Sequence, residues 1–160
     1  PRLLHGDLEN SNGPFGVSVL YLDIDIDHFK ALNTKHTERV IDKTVLPSFQ
    51  SLVAAAVHRH GFAYAEGGDE VVIVLPNTST ALAAAFAEEL RSRIEAHPFA
   101  IEGTSTRITV SIGLASSTSN QTQLTEWANL AKTEAEQRGR NRTVTTGDGK
   151  TFHDARSNQH

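Results

Sequence analysis

The chain has 160 residues, 38% apolar and 21% charged, with a net charge of −4; one domain of this length buries roughly 70% of its unfolded surface, so a full core is available. The acidic balance argues against a surface for nucleic acid or other polyanions. The absence of cysteine excludes disulfides and thiolate metal sites, and no run approaches the ~18 apolar residues of a membrane span.

Residues 1–16, rich in Gly, Asn, Ser and Pro, read as an N-terminal loop. The start at Pro1 reads as a fragment or a processed chain, without a signal peptide. "VSVLYLDID" (17–25) alternates, is rich in β-branched residues and ends in acids, which predicts a strand emerging from the core. Val45, Phe49, Leu52, Val53, Ala56 and Val57 recur at helical spacing, with Pro47 in the first turn or at a kink and His60 and Gly61 closing the helix. "FAYAEGGDEVVIVLP" (62–76) predicts a hairpin around a Gly-Gly turn. Thr78 or Ser79 then caps a helix that Pro98 ends. "STRITVSIGLAS" (105–116) alternates as a strand, residues 122–139 form an amphipathic helix capped by Gly139, and "NRTVTTG" (141–147) is a last short strand. Residues 148–160 read as a C-terminal tail, disordered at "HDARSNQH". Trp127 and Phe86 fit helix core faces, and the histidines, His58 and His60 among them, lack metal-ligand spacing.

The order is β-α-β-β-α-β-α-β, and its first six elements are the split β-α-β arrangement: an antiparallel sheet with helices on one face, an α+β fold of ferredoxin-like type. A main domain over 17–147 follows. In that arrangement the first strand lies beside the hairpin, so the acids at its end (Asp23, Asp25, Asp27) face those after the Gly-Gly turn (Asp69, Glu70). Converging carboxylates repel unless a cation lies between them, and hard oxygen ligands select Mg²⁺ or Mn²⁺. Gly67 and Gly68 let a bulky ligand approach the backbone. A lone "GGDE" is also met as a plain polar turn. Asp23 reads as a hydrogen-bonded acid and receives no chemical role at this point.

"DIDHFKALN", "GGDEVVIVLP", "ITVSIGLA" and "AEQRGRN", in this order from about residue 17 to 144, resemble the GGDEF-domain nucleotide cyclases, the diguanylate cyclase family. The resemblance implies a fold related to the palm of polymerases, two domains meeting as a homodimer around two GTP molecules, and cyclic di-GMP as product. It implies Asp25 and Asp69 as metal carboxylates, the Ile26 carbonyl as a further ligand, and Glu70 as the acid that supports the metal or deprotonates the attacking hydroxyl. It implies Gly67 and Gly68 at the nucleotide, Phe29, Lys30 and Arg140 at phosphate, and Asn33 and Asp42 at guanine. A cytoplasmic signalling domain with a sensory or effector partner domain is the setting it suggests.

The departures from the family pattern are Thr34, Thr37 and Ile41 in the 34–41 loop, Ala65, Val71, and Glu136 where the family has a lysine. The inhibitory "RxxD" is replaced by "HRHG" (58–61). Two other readings follow: a defence-type cyclic nucleotide synthase using ATP or mixed substrates, and a catalytically weak GTP-sensing or dimerisation module.

Overall fold

The structure is a computed structural model, and it describes residues 16–26, 45–66, 69–101, 103–118 and 121–156. In chain order the elements are β1 (Val17–Ile26), α1 (Leu46–Val57), β2 (Phe62–Ala65), β3 (Glu70–Pro76), α2 (Thr80–Ala96), β4 (Phe99–Ile101), β5 (Thr104–Thr106), β6 (Ile108–Ser117), α3 (Leu124–Gln137), β7 (Arg142–Thr146) and β8 (His153–Asp154). The main sheet has the strand order β2-β3-β1-β6-β7-β8.

β1 occupies the middle of this sheet. It runs antiparallel to β3, with Val17 opposite Pro76 and Asp23 opposite Glu70, and antiparallel to β6, with Ile26 opposite Ile108. The four strands β2, β3, β1 and β6 are the expected split β-α-β sheet. β7 joins parallel to β6 because α3 carries the chain back across the sheet.

Period-two alternation sorts the side chains of β1 onto two faces. Leu20 and Leu22 pack with Phe49 and Val53 of α1 and Leu90 and Ile94 of α2. Val17, Val19 and Tyr21 pack on the other face with Leu124 and Ala128 of α3. Phe49 is 1% exposed, and burying such a side chain contributes about 1.5–3 kcal/mol. Phe86 and Trp127 pack against these two clusters, as their helical spacing predicts.

The helix ends follow local chemistry. Pro47 sits in the first turn of α1. The Ser79 hydroxyl caps α2 by accepting from the Leu82 N–H at 3.3 Å. Gly139 (φ 121°) ends α3, and the Arg140 N–H returns to the Ala135 carbonyl at 2.9 Å, satisfying a terminal acceptor. Gly113 matters for a different reason. A Cβ there would overlap the Ala128 carbonyl oxygen and the Lys132 amide nitrogen, so its absence lets α3 lie directly on β6.

Two local expectations need correction. β5 is separate from β6 and pairs with β4 in a small second sheet, because Phe99 and Ile101 bury their side chains and draw their own hairpin together. Residues 148–156, expected in the tail, fold back onto the domain. Asp148 accepts the backbone N–H groups of Lys150 (2.8 Å) and Thr151 (2.7 Å), which turns the chain. These bonds to the charged form hold its carboxyl down at about 2. β8 then pairs with β7, and Phe152 packs on Ala131, Ala135 and Val144.

Candidate active site

The register of β1 and β3 builds the site. Asp23 lies opposite Glu70 on neighbouring strands. The Ile24 N–H donates to the Asp69 carbonyl at 3.1 Å, and the Glu66 N–H donates to the Glu70 carbonyl at 2.8 Å. These bonds fix both sides of the hairpin turn. One carboxylate oxygen from each of Asp23, Asp69 and Glu70 lies within 4.8 Å of the others. Asp69 is exposed, whereas Asp23 and Glu70 are half-buried.

Neighbouring groups tune these acids. Burial pushes the Asp23 carboxyl up to about 7; the charges of Asp69 and Glu136 and a hydrogen bond with Glu136 add to this, and Lys132 opposes it. The Tyr21 hydroxyl donates to Glu70 Oε2 at 2.6 Å. Burial first, and then that bond and charge, push the Tyr21 phenol well above its usual range. The Lys132 ammonium stands 3.4 Å from Glu136, 3.7 Å from Glu70 and 3.9 Å from Asp23, and 5.4 Å from the Tyr21 ring centre. Glu136 also binds the Arg140 guanidinium at 2.9 Å.

The donor set fits a hard divalent cation: three carboxylates at one end of the central strands and no sulfur. Two buried oxygens, Oδ1 of Asp23 itself and Oγ of Ser111, have no hydrogen-bond partner among the described residues. Ser111 lies opposite Asp23 on β6. Unpartnered buried oxygens of this kind are what an ion or its water shell would satisfy.

Asp69 and Glu70 therefore stand together as expected from the sequence. Asp25 lies on the same face as Asp23, opposite Thr109, but outside the close trio; the third member is Asp23. Ile26 is the last residue of β1. Arg140 is joined to the acids through Glu136 and Lys132. Phe29, Lys30, Asn33, Asp42, Gly67 and Gly68 lie outside the described residues. Sequence reasoning placed Asp23 in the acid cluster without a role, and missed Tyr21 and Lys132. Period two along β1, continued back from Asp25, was the available signal for the first two. For Lys132 it was a cation within the buried stripe Leu124, Ala128, Ala131, Ala135, with an acid four residues on.

A mixed α+β domain with an antiparallel centre and an acid trio at its hairpin turn is the class that this geometry defines. The chain belongs to the GGDEF family: residues 5–142 match the family model described as diguanylate cyclase, GGDEF domain. It is similar to Diguanylate cyclase A of Treponema denticola, 32% identical over 138 residues, covering 84% of this chain and 37% of that protein. Among solved structures it is similar to the active GGEEF domain of a diguanylate cyclase from Vibrio cholerae, 26% identical, with a TM-score of 0.67 over 89% of each chain. It is also similar to the GGDEF domain of DgcB from Caulobacter crescentus in complex with c-di-GMP, 25% identical, with a TM-score of 0.68 over 90% of this chain and 84% of that one. The chain spans less than half the length of the curated relatives it matches. Among the described residues no helix is long and apolar enough to cross a membrane.

Proposed function

We propose that this domain condenses two molecules of GTP into cyclic di-GMP, using Mg²⁺ or Mn²⁺ held at the acid site. The observation that carries the reading is the meeting of Asp23, Asp69 and Glu70 at the hairpin turn of a GGDEF-family chain. Asp69 and Asp25 would hold the ion with the Ile26 carbonyl, and Asp23 would add a carboxylate from the same strand face. A divalent ion held there supplies positive charge against the phosphate oxygens of the substrate.

The chain's own groups do the rest. Tyr21 orients Glu70 through its 2.6 Å hydrogen bond to Oε2, which leaves Oε1, 3.7 Å from the Lys132 ammonium, to take the proton of an attacking 3′-hydroxyl. Lys30, the backbone at Phe29 and Arg140 meet the triphosphate, and Gly67 and Gly68 leave room for it. Asn33 and Asp42 read the guanine edge. Two copies, each holding one GTP, face each other so that each hydroxyl attacks the other's α-phosphate. Residues 17–147 form the catalytic unit, within a soluble cytoplasmic protein that carries a sensory or effector domain.

A second reading, a GTP-binding module without turnover, is favoured by one observation: Glu136 stands where the resemblance places a lysine. Against it, Lys132 supplies a cation one turn earlier on the same helix. Incubation with labelled GTP or ATP and Mg²⁺, followed by separation of products, separates the readings. Cyclic di-GMP from GTP supports the proposal. Product from ATP points to a defence-type synthase, and bound GTP without product to the binding module.

A further inference from the structure

Lys132 is the only cation that the described structure places against the acid trio. Its side chain is 9% exposed, and a buried ammonium stays charged only where carboxylates surround it. Two of its three partners, Asp23 and Glu70, belong to the trio. The third, Glu136, lies outside the trio, one turn further along α3, and is itself held by Arg140. The root of Lys132 is fixed, because its amide nitrogen rests against β6 at Gly113. Only the end of the side chain has freedom, and that end lies among three carboxylates at 3.4 to 3.9 Å.

We propose that Lys132 is a built-in counter-cation of the acid site: it lies with Asp23 and Glu70 when no divalent ion is bound, and Glu136 retains it when an ion takes those oxygens. The pair Lys132 and Glu136 thus sets the affinity for divalent cations. This rests on the acid trio being a cation site, as proposed above. The argument is one of shared ligands. An ion held at the acid trio would sit beside the ammonium that Asp23 and Glu70 already neutralise, and the two cations repel. Glu136 lowers that repulsion by giving the ammonium a partner of its own.

The test is Mn²⁺ binding without nucleotide, followed by the electron paramagnetic resonance of free Mn²⁺, on the full chain. Lys132→Met should tighten binding about tenfold or more, and Lys132→Arg should stay near the unmodified protein. Glu136→Gln should weaken binding severalfold, and this effect should shrink once Lys132 is replaced by Met, as coupling between the two requires. Thermal melts verify folding, and Glu136→Gln remains readable if Lys132→Met folds poorly. Unchanged or weaker binding by folded Lys132→Met overturns the proposal, as does an equal Glu136→Gln effect with and without Lys132. Asp69→Asn separates the two levels. Mn²⁺ binding lost in Asp69→Asn but not tightened in Lys132→Met removes only the role of Lys132. Binding that is absent from the unmodified protein, or undiminished in Asp69→Asn, removes the cation-site reading and the role of Lys132 together.

Discussion

Replacing Asp23 by Asn should stabilise the metal-free protein at neutral pH, although Asp23 belongs to the candidate site. Its carboxyl is raised from 3.8 to about 7, chiefly by burial and then by Asp69 and Glu136. The unfolded chain loses this proton near pH 4 and the folded chain near pH 7. Folding therefore takes up a proton within that window, and this group's contribution to stability falls as pH rises through it. At about 1.36 kcal/mol per pH unit, a shift of roughly three units is worth on the order of 4 kcal/mol. That figure already includes the opposing attraction of Lys132, which stands 3.9 Å from the Asp23 carboxylate, so the gain expected above pH 7 is at most about 4 kcal/mol. The gain should shrink steadily as pH falls and reach its lower plateau below pH 4, where the carboxyl is protonated in both states. Urea denaturation of both proteins from pH 4 to 8.5, with a chelator present, measures it. A stability difference that stays flat across this range, or an Asn variant relatively weaker at pH 8 than at pH 4, would refute the reasoning.

Gly113→Ala should destabilise the fold by about 3 kcal/mol or more, because the new methyl meets the backbone of α3 at Ala128 and Lys132 rather than a movable side chain; chemical denaturation reads this directly. Phe49→Ala should cost about 3–5 kcal/mol, since the ring is buried between α1 and the sheet; a loss under 1 kcal/mol would contradict that packing. The "HRHG" segment in place of "RxxD" should leave turnover uninhibited by added product, and tight non-competitive inhibition retained in Arg59→Ala would count against it.

The sequence exposed the sheet centre and the acid pair because both are written locally. Alternation along 17–25, a Gly-Gly turn and the order of two acid clusters suffice to place Asp69 and Glu70 beside the end of β1. Two other features depend on contacts that no local pattern carries. Asp23 became the third acid through its register opposite Glu70, and a shift of one residue would have turned it to the other face. Lys132 is buried only because Gly113 lets α3 lie on β6. Glu136, odd in isolation, becomes intelligible as the shared partner of Lys132 and Arg140. β8 was hidden for a similar reason: Phe152, a single apolar residue in a polar stretch, finds its place only against α3 and β7.

The central claim, that the acids at the hairpin turn are the catalytic site, is tested most directly by Asp69→Asn. Formation of cyclic di-GMP from GTP and Mg²⁺ should be measured for this variant and the unmodified protein at equal concentrations of folded chain. Asp69 is exposed, so its replacement should leave the melting temperature within a few degrees. The account expects product to fall by about a hundredfold or more, the ion losing one of its few carboxylates. A folded Asp69→Asn protein that makes product at the unmodified rate would contradict it.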